Sequence, residues 1–117
     1  GCNGYVLKAN GKTVVYATDT EPDGGEMDES LRVHAQGADL LIMDSNNSLD
    51  EARDRRGWGH STWRDCVRTA KEAGVERLVL FHHDAYHNDE AISRKEVLAQ
   101  REFPETVCAY DGLKLTV

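Results

Sequence analysis

The 117-residue sequence predicts an α/β layered domain with a mixed sheet, and three observations carry that reading. Asp39-Leu40-Leu41-Ile42-Met43-Asp44 and Leu78-Val79-Leu80-Phe81 are short, continuous apolar runs, the pattern of strands buried on both faces. Segments with helical spacing and helical end signals lie before, between and after these runs. The turn-forming pairs Asn10-Gly11 and Asp111-Gly112 place a hairpin at each end of the chain.

In chain order, residues 5–7 and 13–17 are two β-rich runs joined by Asn10-Gly11, whose tolerance of positive φ suits a tight turn. Residues 18–25 are polar and rich in turn formers, so a loop follows the second strand. A helix is predicted over 27–36, ended by Gly37. The first apolar run then forms a strand. Residues 45–59 are charged and weakly periodic, a loop with room for one helical turn. Ser61 can cap a helix in which Trp63, Val67 and Ala70 recur at helical spacing, and Gly74 stops it. The second apolar strand leads into His82-His83-Asp84. Asn88 or Asp89 can cap a last helix reaching Arg101, with Pro104 beyond it, and 106–110 and 113–117 close the chain as a hairpin.

Composition narrows the function classes. With 14 Lys+Arg against 21 Asp+Glu the chain carries −7 at pH 7, so a nucleic acid ligand requires a local basic patch or a partner domain. No apolar run approaches the roughly 20 residues of a membrane span, and Gly1-Cys2-Asn3-Gly4 does not open a signal peptide; a cytoplasmic location is expected. Cys2, Cys66 and Cys108 are odd in number and have no CxxC spacing, which suggests neither a disulfide framework nor a structural zinc motif. Cys66 and Cys108 read as reduced, buried small hydrophobes.

The candidate chemistry follows strand ends, where α/β folds place their sites. Asp19 follows one strand, Asp44 another, and His82 and His83 a third; carboxylate and imidazole suit zinc, manganese or iron. Each also has a plain structural reading. Asp19 between two threonines suits a turn, and Asp44 can cap the turn toward Asn46 and Asn47. Of two adjacent histidines one must face inward, as a ligand or as a hydrogen-bonded structural residue. His60, just before a helix, can be a residue near a cap, and His34 and His87 read as solvated.

Val14-Val15-Tyr16-Ala17-Thr18-Asp19-Thr20-Glu21, Asp39-Leu40-Leu41-Ile42-Met43-Asp44, Gly57-Trp58-Gly59-His60-Ser61-Thr62 and Leu78-Val79-Leu80-Phe81-His82-His83-Asp84 together resemble the carboxy-terminal half of metallo-β-lactamase-fold hydrolases. The branch they resemble most is the one related to ribonuclease Z and to small phosphodiesterases. Ala85 stands where that family often has proline, and the family's aromatic residue near Asn47 is absent.

The resemblance implies half of an αββα sandwich, a mixed sheet with helices on one face, with residues 1–117 as one partial domain. It implies that Asp19 bridges two metal ions and that His82 ligates the second. Asp44 and His60 match the pair implicated in proton transfer. The cofactor implied is two divalent ions, zinc first, with manganese or iron as alternatives. The substrate implied is a phosphodiester, in a small molecule or a nucleotide; acyl or lactone hydrolysis and sulfur oxidation also occur on such folds. The family's His-x-His-x-Asp-His motif does not occur in this sequence, and Gly1-Cys2-Asn3-Gly4-Tyr5 resembles the residues directly after its His-Pro-Gly. The expected partner is therefore an amino-terminal half carrying that motif, and the isolated chain is expected to be inactive and to self-associate through uncovered apolar surface. Two competing readings are a non-catalytic α/β binding or regulatory domain, and a half-domain that pairs with a partner chain.

Overall fold

The computed structural model describes residues 3–18, 26–44, 62–81, 89–110 and 112–115. Strands β1 (Asn3–Ala9) and β2 (Lys12–Thr18) form the opening hairpin, with Tyr5 opposite Tyr16 and Leu7 opposite Val14. Its turn places Asn10 at φ 53° and Gly11 at φ 76°, two consecutive left-handed residues of the kind an Asn-Gly pair supplies cheaply. Helix α1 (Glu26–Ala35) leads to β3 (Leu40–Asp44), α2 (Trp63–Ala73) to β4 (Leu78–Phe81), and α3 (Asp89–Glu102) to β5 (Thr106–Cys108). The strands lie in sequence order in one sheet; β1 and β2 are antiparallel, and every later neighbour is parallel. This is the mixed sheet the sequence predicts.

Strand register divides the sheet into two faces. Val15 and Ala17, Leu41 and Met43, Leu78 and Leu80, and Cys108 share one face and join Ala35, Trp63, Cys66, Val67, Ala70 and Ala99 in a single core cluster. All three described helices pack there, and α2 sits in the middle, touching both α1 and α3. The other face carries Tyr5, Leu7, Val14, Tyr16, Ile42, Val79, Phe81 and Val107. Tyr5, Tyr16 and Phe81 make an aromatic row across it, with ring centroids 6.4 and 5.7 Å apart. Tyr5 is 60% exposed and Leu7 62%.

Helix α2 begins one residue later than the sequence reading placed its cap. Thr62, extended at φ −90° and ψ 165°, is the N-cap: its hydroxyl accepts from the Asp65 N–H at 3.2 Å, and the Asp65 carboxylate accepts from the Thr62 N–H at 3.0 Å. The reason is the residue three positions on. A box from Thr62 finds the acceptor Asp65, whereas one from Ser61 would find Arg64, which has no acceptor. Gly74 ends the helix at φ 69°, its N–H returned to the Ala70 carbonyl. Thr62→Ala is expected to cost about 1 kcal/mol of stability, read as a lower urea midpoint with unchanged slope; an unchanged midpoint would show that the box adds nothing.

The closing hairpin does not form among the described residues. Gly112 turns the chain, with the Leu113 N–H donating to the Tyr110 carbonyl at 3.0 Å, but residues 113–115 join no ladder. Side chains of α3 occupy the edge instead. In β5, residues 105 and 109 bond toward β4, so the Cys108 N–H and the Thr106 carbonyl point outward. Glu96 accepts from the Cys108 N–H at 2.7 Å, and Gln100 donates to the Thr106 carbonyl at 2.8 Å. The groups a returning strand would pair with are already satisfied. The helical turn expected within 45–59 lies outside the described residues.

Candidate functional site

The site is an edge before it is a set of side chains. Strands β2, β3 and β4 run parallel, with Ala17 level with Met43 and Asp44 level with Phe81, so all three end together on one side of the sheet. Asp44 is the last residue of β3 and is fully buried, at 0% exposure. Its main-chain oxygen accepts from the Cys66 thiol at 3.1 Å, which ties the end of β3 to the first turn of α2. Asp19 and His82 are the residues that follow β2 and β4 in the sequence; together with His60, His83 and His87 they lie outside the described residues. Of the predicted site residues the structure therefore locates Asp44, and for Asp19 and His82 it locates the strand ends that lead to them. His34 is exposed on α1, in line with the solvated reading.

The two described cysteines are free and buried, as the sequence reading has them. Burial holds the Cys66 thiol well above its ordinary range, with Asp65 and Asp44 adding to the rise and Lys95 opposing it. Burial likewise pushes Cys108 up to about 12, with Glu96 adding and Lys95 opposing. Burial thus favours the thiol over the nucleophilic thiolate at both positions. Their function here is to donate: Cys66 to Asp44 and Cys108 to the Ile92 carbonyl at 3.7 Å. Among the described residues no group of three or more His, Cys, Asp or Glu side chains could hold a metal ion.

Sequence reasoning passed over Lys95. It is only 6% exposed and lies on the sheet-facing stripe of α3, three positions after Ile92 and four before Ala99. A lysine in an otherwise apolar stripe was the available signal, and lysine is rarely buried without a partner.

The fold belongs to a known architecture. The chain superposes on the metallo-beta-lactamase fold protein YhfI from Bacillus subtilis with a TM-score of 0.71 and 28% identity, over 92% of this chain and 40% of that one. The family model for the Beta-lactamase superfamily domain matches residues 2–83, and the chain belongs to that family. Ribonuclease Z of Aeropyrum pernix is 37% identical over 107 residues, 90% of this chain and 32% of that protein. Ribonuclease Z of a Synechococcus species is 40% identical over 110 residues, 92% of this chain and 32% of that protein. The chain thus spans about a third of the length of the curated relatives it matches, and the resemblance to the ribonuclease Z branch is borne out. No helix among the described residues is long and apolar enough to cross a membrane.

Proposed function

We propose that the protein to which this chain belongs is a metal-dependent phosphodiesterase acting on RNA, in which residues 1–117 form one partial domain and supply one side of the active centre. The observation that carries the reading is the match to ribonuclease Z sequences across nine-tenths of the chain. It favours an RNA phosphodiester over the small-molecule substrates the sequence left open. The edge geometry supports it, because three adjacent strand ends lead to Asp19, Asp44 and His82.

The donor chemistry fits metal ions in part. Asp19 and His82 offer an anionic oxygen and a neutral nitrogen, the pairing that zinc and manganese accept, while a catalytic centre needs about three protein ligands per ion. The remainder falls to the other two thirds of the protein, where the His-x-His-x-Asp-His motif is expected. Bound divalent ions, zinc first, would lower the pKa of a water and polarise the phosphoryl oxygen under attack. The other steps belong to side chains of this chain. Asp44, buried at the end of β3, orients His60 and favours its protonated form. His60 then gives its proton to the leaving ribose oxygen. The capping box of Thr62 and Asp65 fixes the start of α2, its N-cap Thr62 lying two residues beyond His60 in the sequence.

The test is hydrolysis by the full-length protein, stripped of metal and reloaded with zinc or manganese. The substrates are an RNA bearing a single-stranded 3′ extension and bis(p-nitrophenyl) phosphate. Metal-dependent cleavage of both is expected. No cleavage of either with any of the ions, by a protein that has folded, would instead favour the non-catalytic binding-domain reading.

A further inference from the structure

We propose that the outer ridge of α2 is a docking strip for the phosphate backbone of an RNA strand, with Arg64, Arg68 and Lys71 as its phosphate contacts; the proposal rests on the ribonuclease reading above. The three residues are spaced four and three apart, so at 3.6 residues per turn they fall within about 60° of arc on the helix. All three are exposed, on the helix that lies between α1 and α3. They run over about 10 Å from Arg64 to Lys71 at 1.5 Å per residue. The strip begins four positions after His60 in the sequence, at the positive end of the helix dipole, so it leads away from the catalytic edge.

Local charge departs from the −7 of the whole chain, because α2 carries Arg64, Arg68 and Lys71 against Asp65 and Glu72, and both acids have partners. Asp65 is held in the capping box and lies 3.7 Å from Arg68. Glu72 is paired with Arg32 of α1 at 2.6 Å, on the exposed surface. The Asp65–Arg68 contact is long and partly exposed, so water and salt weaken it and a phosphate can compete for the guanidinium. Arg64 has its guanidinium carbon 5.3 Å from the centre of the Trp63 ring, a stacking contact that limits its rotamers and presents its donors in place. Arginine in that setting suits the forked recognition of phosphate oxygens. The strip has no base-reading groups, so it should bind RNA without sequence preference and with a strong dependence on salt.

The experiment uses the full-length protein with Arg64→Gln, Arg68→Gln and Lys71→Gln combined. A second variant has Arg64→Lys and Arg68→Lys, and Arg101→Gln on α3 serves as an exposed control outside the strip. Affinity for a labelled single-stranded RNA is measured between about 50 and 200 mM salt, and turnover of bis(p-nitrophenyl) phosphate alongside. Three lost phosphate contacts at about 0.7 each should reduce the slope of log affinity against log salt by about 2. The lysine variant and Arg101→Gln should keep the slope, and turnover of the small substrate should be unchanged throughout. If the glutamine variant loses small-substrate turnover it has misfolded, and Lys71→Gln alone decides, with a fall of about 0.7. An unchanged slope while RNA is still cut overturns the strip and leaves the ribonuclease reading standing. An equal fall in Arg101→Gln overturns it as well, as general charge. A wild-type protein that cuts neither substrate overturns both.

Discussion

Replacing His60 with alanine in the full-length protein is expected to lower turnover by about 10² to 10⁴-fold, the usual contribution of a general acid, while leaving bound metal near its original level. Asp19→Ala is expected to lower turnover at least as far and to reduce bound metal, because on the proposed reading Asp19 would be one of the ligands and the metal would supply the activated water. Metal analysis of the purified variants separates the two roles, with kcat measured in the same preparations. The pH profile adds a third reading. If His60 is the proton donor proposed above, the wild-type rate should fall at high pH and His60→Ala should flatten that limb. Should His60→Ala release the metal, His60 is a ligand, and the proton donor has to be sought elsewhere. Asp44→Asn serves as the intermediate case: it keeps the shape of a fully buried side chain and removes its charge. It should depress turnover through His60 without disturbing metal content.

How much of this could be read in the sequence depends on whether a feature is local. The opening hairpin was legible because Asn10-Gly11 sets its own turn, and β3 and β4 were legible because continuous apolar runs between polar residues have few other uses in a chain of this size. The start of α2 was misplaced by one residue, since Ser61 and Thr62 are both good caps and only the partner three positions on distinguishes them. The returning strand after Gly112 was predicted from turn chemistry that the structure does contain. What turn chemistry could not reveal is that Glu96 and Gln100, on a helix earlier in the chain, already bond the outward groups of β5. Lys95 escaped for a related reason: its burial depends on how α3 settles against the sheet, which no local pattern records. For the site, the sequence led to the sheet edge because strand ends concentrate chemistry in parallel sheets. Asp44 is found at that edge, fully buried. The roles of Asp19, His60 and His82 came from family resemblance, and periodicity or spacing alone would not have told Asp19 from any other aspartate after a strand.

The 117-residue chain taken by itself is expected to bind divalent metal weakly, to lack measurable phosphodiesterase activity and to self-associate. Coordination sets the first expectation. The two ligands proposed within this chain, Asp19 and His82, would leave an ion mostly hydrated. Asp44 and His60 would then have no activated water with which to cooperate, so the chemistry fails with the metal. Surface sets the last expectation. On the sheet face away from the helices Tyr5 and Leu7 are each about three-fifths exposed, beside Tyr16, Ile42 and Phe81. That is a contiguous apolar strip of the kind monomeric proteins rarely leave open to water. Isothermal titration with zinc and manganese, bis(p-nitrophenyl) phosphate turnover and size-exclusion chromatography with light scattering measure the three. Tyr5→Ser with Leu7→Ser should shift the elution toward monomer without changing metal binding. Sub-micromolar zinc binding with steady turnover by this chain would overturn the assignment at its root, because it would mean that the centre is complete within these residues.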